Sequence, residues 1–254
     1  MDFPGASRFA LGAGIALLIA GCAALGMAPQ APIEATSIQT LEYYPYQVKG
    51  YQNSYPHRNV LVLSPEDTRD FSDSGTDNHS PQGGNPAVGI VTSQSGDVIQ
   101  RLYSEPLPAI VQGAIAKSAE EAGMTARTSP ASEYHPDQKA ADDYVVASKI
   151  TRGWVRKHRG ADGQFGPMWA TEAKFGLDVT VYKPPFTVPF WQGASSSSYT
   201  DPPVGSFGLG PEDEAGIYDE PGQVLSVALT RAVAGIFDRP DLRTLVLQDE
   251  IRSR

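Results

Sequence analysis

The chain has 254 residues, 41% of them hydrophobic and 19% charged, with 29 acidic against 20 basic side chains and a formal net charge of −9 at pH 7. That hydrophobic content excludes wholesale disorder, and the acidic balance disfavours nucleic-acid binding and broad electrostatic adsorption to anionic membranes. With one cysteine no intrachain disulfide can form, so a core must hold the fold.

Residues 1–21 read as a secretory signal peptide: a short start with Arg8, an apolar run over Leu11–Ala20, then small residues. The run is too short to span a bilayer, which takes about 20 apolar residues. It ends in Leu18-Ile19-Ala20-Gly21-Cys22, which resembles the lipobox of bacterial lipoproteins. The resemblance implies cleavage before Cys22 and a diacylglycerol on its thiol. Acylation would also remove a free thiol that is a liability in an oxidising compartment. Each buried methylene contributes about 0.8 kcal/mol and stable anchoring takes more than one chain, so a triacylated, palmitate-bearing Cys22 would serve. Ala23 follows the cysteine, where enterobacterial retention at the inner membrane uses Asp; the implied address is the outer membrane, facing the periplasm.

Residues 22–58 read as the lipidated cysteine followed by a tether, with Ala28-Pro29-Gln30-Ala31-Pro32 favouring extended backbone. Its tyrosines, Tyr43, Tyr44, Tyr46, Tyr51 and Tyr55, have no clean period and either lie on their own domain or meet a partner. A single domain is expected over 59–254. Asn59–Ser64 has the length and β-branching of a buried strand, 66–87 is a Ser/Asp/Gly-rich loop, and Val88–Val91 is a second short strand. Pro106–Ala122 predicts an amphipathic helix, with Ser104 as N-cap and Gly123 as the residue that ends it. Tyr144–His158 and Trp169–Tyr182 predict antiparallel strands joined by a loop at 160–166, the second with Trp169, Thr171, Ala173, Phe175, Leu177, Val179 and Val181 on its covered face. Phe186–Gln192 continues the meander up to the run Ser195–Ser198. A second amphipathic helix is expected over Gln223–Phe237, and Leu242–Leu247 is a further short helix or a strand. Together these elements predict an α+β domain: a mostly antiparallel sheet with two amphipathic helices on one face, and Leu107, Ile110, Ile115, Phe175, Leu177 and Val227 in the core.

No catalytic motif is present. His57, His79, His135 and His158 lie in no pattern that fixes a role, and Gly-x-Ser-x-Gly, His-Glu-x-x-His and paired-cysteine spacings are absent. Asp67, Asp70, Asp73, Asp77 and His79 are weak candidates for a hard cation, which takes several carboxylate oxygens; their spacing is not that of an EF-hand, and a solvated loop explains them. No cofactor is expected. Gly205–Gly210 lacks the Lys-Ser/Thr ending of a phosphate loop.

The segment Leu63-Ser64-Pro65-Glu66-Asp67-Thr68-Arg69, then Val88-Gly89-Ile90, then a helix ending in Ala122-Gly123, resembles small envelope lipoproteins of the YajG type and auxiliary lipoproteins of ABC-type lipid transport. The likeness covers about residues 59–185, and the long loop 66–87 and the Pro-rich stretch 184–222 depart from it. It implies a non-enzymatic accessory or scaffold subunit of an outer-membrane assembly or transport complex, working with envelope protein partners and without catalytic residues. The alternative is a lipid-anchored periplasmic hydrolase or ligand-binding protein, built on the acidic loop or on a pocket beside loop 200–222.

Overall fold

The computed structural model describes residues 33–38, 41–44, 53–55, 57–70, 86–135, 142–163, 166–201 and 220–253. The expected signal peptide, Cys22, Asp73, Asp77 and His79 lie outside them. The compact unit runs from Glu34 to Arg254. In chain order its elements are β1 (Glu34–Ser37), β2 (Asn59–Leu63), β3 (Glu66–Asp67), β4 (Gly89–Thr92), β5 (Val98–Tyr103), α1 (Leu107–Glu121), β6 (Thr125–Ser129), β7 (Tyr144–Gly163), β8 (Gly166–Tyr182), β9 (Pro189–Asp201), α2 (Pro221–Phe237) and α3 (Pro240–Ser253).

The nine strands form one sheet organised on β7. One edge of β7 pairs along its length with β8, and β8 with β9, both antiparallel. The other edge takes three shorter strands in turn, all parallel to it: β2 at Tyr144–Val146, β3 at Lys149–Ile150 and β4 at Val155–His158. β6 extends this side from β2 and β1 from β5, also parallel, whereas β4 and β5 are antiparallel. The sheet is therefore mixed, and the expectation of a mostly antiparallel one is corrected. Alternation along a strand reports which face is covered; direction is set by the connection, and the path from β2 through α1 to β6 is a crossover that returns the chain parallel.

The helices cover one face. Phe175, Leu177 and Val181 of β8, Val60 and Val62 of β2, and Leu107, Val111 and Ile115 of α1 are buried in one cluster with α2. Ile110 is only partly buried at its edge. α1 begins on Pro106 rather than on Ser104, whose hydroxyl instead donates to the carbonyl of Glu105. It ends as the sequence predicts: Gly123 has φ of 94°, its N–H donates to Glu120 O and the next N–H, Met124, to Ala119 O.

α2 departs from the amphipathic expectation. Val224, Leu225, Val227, Ala228, Leu229, Ala232, Val233 and Ile236 are all fully buried, so nearly every side of the helix is covered. The sheet covers one side, and the segment expected as a tether contributes to another. Glu42 N donates to Ser226 Oγ and Tyr44 N to Thr230 Oγ1, both at 2.9 Å. Tyr43 and Tyr55 are buried, and the Tyr55 hydroxyl donates to Phe237 O. Together with β1, these contacts include the segment from Glu34 in the compact unit. Burial pushes the Tyr55 phenol up to about 12, against the opposing pull of Arg243.

The sheet also extends where loops were expected. The loop at 160–166 is mostly strand, with β7 and β8 pairing out to Gly163 and Gly166 past a bulge between Arg159 and Asp162. The serine run lies within β9, pairing Ser195–Ser198 with Leu177–Lys174. α3 is a helix, tied back by Asp249, which accepts from Tyr144 and Lys183. Burial alone would raise the Asp249 carboxyl; those two donors outweigh it and hold it low.

Candidate functional site

Two constellations stand out, one on each face of β7. On the covered face, a bulge between Ile150 and Arg152 re-phases β7 and turns Gly153 inward opposite Phe175. A Cβ on Gly153 would lie 3.0 Å from Leu107 Cδ2 and 3.4 Å from Arg69 Cδ, so glycine leaves the space into which Arg69 fits. The Arg69 side chain is 3% exposed. Its Nε and Nη2 donate to the two carboxylate oxygens of Asp67 and its Nη1 to Gly153 O, each at 2.8 Å. The Asp-x-Arg of the sequence is thus a fork that ties β3 to the bulged centre of β7.

At Asp67 both carboxylate oxygens accept from the Arg69 guanidinium. Asp70 is exposed at the end of the described segment. Among the described residues no group of three or more His, Cys, Asp or Glu side chains comes together.

On the open face, the far half of the β7–β8 hairpin and the β4–β5 pair enclose a cleft of about 530 Å³, lined by Ile90, Val98, Arg156, His158, Ala170 and Glu172 among others. The parallel register of β4 on β7 sets Ile90 beside Arg156 and Thr92 beside His158. Thr92 Oγ1 and His158 Nδ1 are 2.9 Å apart. Arg156 Nη1 is 3.8 Å from Glu172 Oε1, too long for a hydrogen bond, and Arg156 Nε is buried without an acceptor among the described residues. Its guanidinium lies 5.3 Å from the ring centre of Trp154, and Lys174 lies 5.4 Å from the same ring. The open face of an acidic protein therefore carries a local cluster of cations around one indole.

In chemical terms the cleft offers a guanidinium, an imidazole paired with a hydroxyl, and apolar walls. Among the described residues no carboxylate hydrogen-bonds the other ring nitrogen of His158. Sequence reasoning did not single out Thr92 or Arg156, and it left His158 without a role. Thr92 and His158 are 66 residues apart, and only the pairing of β4 with β7 makes them neighbours.

No family model matches the chain. No curated protein matches it either. Among solved structures it is similar to protein XCC0632 from Xanthomonas campestris, of family model DUF330, at 10% identity and a TM-score of 0.45 over 85% of this chain and 98% of that one. It is similar also to the hypothetical protein CT253 from Chlamydia trachomatis, at 12% identity and a TM-score of 0.38 over 75% of this chain and 99% of that one. A more distant likeness is to the lipoprotein GNA1162 from Neisseria meningitidis, at 12% identity and a TM-score of 0.24 over 56% of this chain and 83% of that one. Among the described residues no helix is long and apolar enough to cross a membrane.

Proposed function

We propose that this chain is a lipid-anchored envelope protein, held at the outer membrane and working without catalysis as an accessory or scaffold subunit of an assembly or transport complex. The observation that carries the reading is the place of Cys22. It closes a lipobox-like segment and is the one cysteine of the chain, and just eleven residues, Ala23–Ile33, separate the expected acylated cysteine from the first described strand. Eleven residues span at most about 40 Å, so the domain works close to the surface its anchor enters, where its partners must also be.

The test replaces Cys22 with Ser in the full chain, labels cells with a palmitate analogue and separates the membranes. Label lost in Cys22→Ser and present in the outer-membrane fraction of the parent is the expected result; label that persists in the variant refutes the anchor. In-cell crosslinking of the parent, read by mass spectrometry, is expected to recover an envelope protein at stoichiometric yield.

One observation favours a second reading, a lipid-anchored hydrolase or ligand-binding protein: the Thr92 hydroxyl paired with His158 in an open cleft. Thr92→Val and His158→Gln separate the two. An accessory subunit keeps its partners and its phenotype in both variants, whereas a hydrolase or ligand-binding protein loses function with folding and anchoring intact.

A further inference from the structure

The outermost strand on the hairpin side, β9, is paired on one edge only among the described residues. It is hydrogen-bonded to β8 in unbroken register from Trp191 to Asp201, and among the described residues no strand pairs with its other edge. Strands of globular proteins average about 5–6 residues, and an open edge of this length is a template for another chain unless something blocks it. Among the described residues the usual blocks are missing. From Phe190 to Thr200 there is neither a charged residue nor a proline, and the one irregularity in the pair lies at its start, between Val181 and Tyr182.

We infer that β9 pairs antiparallel with β9 of a second copy, across a two-fold axis at Ser195, joining the two sheets into one. The strand's own sequence selects the occupant. That axis sets Gln192 opposite Ser198, Gly193 opposite Ser197 and Ala194 opposite Ser196, all small or uncharged, so the backbones can close without a clash of bulk or like charge. A foreign extended segment would be recognised by pockets for its alternate side chains, and the exposed Ala194, Ser196 and Ser198 build none. Two copies that each carry a net charge of −9 repel across most approaches; β9 brings no acid of one copy onto an acid of the other between residues 190 and 200.

The layer behind the sheet fits as well. α2 packs on both β8 and β9, with Ser195 Oγ donating to Ala232 O at 2.6 Å. A helix seated between those strands would lie two strand spacings from its mate across the axis, roughly 9.5 Å. Packed helices sit 8–10 Å apart. The cations beside the strand lie at its ends, Arg231 over the ring of Tyr199 and Arg239 over that of Trp191. The axis brings Arg231 of one copy beside the Arg239–Asp241 ion pair of the other.

The test is disulfide trapping in cells with the full chain. Two differently tagged copies are co-expressed, one with Ala194→Cys and one with Ser196→Cys, and mild oxidation is expected to give a covalent mixed dimer. A Thr180→Cys copy, altered on β8 rather than on the edge, is expected to give none when paired with Ser196→Cys; the parent with Cys22 alone sets the background. Gln192→Lys and Ser198→Lys added to both copies set lysine opposite lysine on exposed positions, and should reduce the mixed dimer at least tenfold. The mass of the purified full chain in detergent should rise from one copy to two with protein concentration and with salt, and stay at one in the lysine variant. Absence of the mixed dimer, or a dimer that the lysines leave intact, overturns the inference. The link does not require acylation of Cys22, so it stands or falls independently of the anchor.

Discussion

Removing Arg69 tests whether the Asp67 fork holds β3 against the centre of the sheet. Arg69→Ala deletes three charge-assisted donations from the guanidinium, one to the Gly153 carbonyl and two to the Asp67 carboxylate. Breaking a buried pair from one side costs about 3–5 kcal/mol, because the remaining charge is uncompensated. The Asp67 side chain is 21% exposed, so water recovers part of this and the lower end, about 3 kcal/mol, is the expected value. For a domain of this size that corresponds to a fall in Tm of about 6–12 °C, with the urea m-value unchanged. Arg69→Lys should recover little, since an ammonium cannot span both carboxylate oxygens and a carbonyl. Pairing Arg69→Met with Asp67→Leu removes both charges and should return more than half of the loss. The assay is urea unfolding followed by tryptophan fluorescence, as a double-mutant cycle. A single-variant cost below about 1 kcal/mol, or strictly additive effects, would refute the account.

Phe175→Ala and Leu177→Ala, on the covered face of β8, should each cost about 2–5 kcal/mol in the same assay, whereas the exposed Lys174→Ala should change stability by less than about 0.5 kcal/mol. Tyr55 titrates higher in the fold, so it favours the folded state below pH 10 and that contribution is lost as pH rises from 10 towards 12; in Tyr55→Phe, alkaline unfolding profiles should lose this component. The Asp241 carboxyl is held well below the ordinary carboxylate range by the Arg239 guanidinium and by Trp191 Nε1–H. Its contribution is therefore present above about pH 4 and lost as pH falls below that, and Asp241→Asn should flatten the acid limb of the stability profile, with unchanged slope as the refuting result.

The sequence by itself determined the elements whose pattern is local. The 3.6-residue spacing between Leu107 and Ala119 gave α1, Gly123 gave its end, and the alternation from Thr171 to Val181 gave the strand and its covered face. It also determined the placement of Cys22 after an apolar run, on which the proposed anchor rests. Tertiary structure decided what depends on partners distant in the chain. Thr125–Ser129 and Ser195–Ser198 have weak intrinsic strand preference, and they are strands because β2 and β8 supply their hydrogen bonds. Tyr44 and Tyr55 read as a tether because nothing nearby in sequence holds them; α2, about 180 residues on, does. The apposition of Thr92 and His158, and of Arg69 and Gly153, follows from register and from one bulge in β7, which alternation in a single strand does not encode. Hydrophobic period fixes which face of an element is covered, while direction, register and neighbours are fixed by the energy of the whole packed sheet.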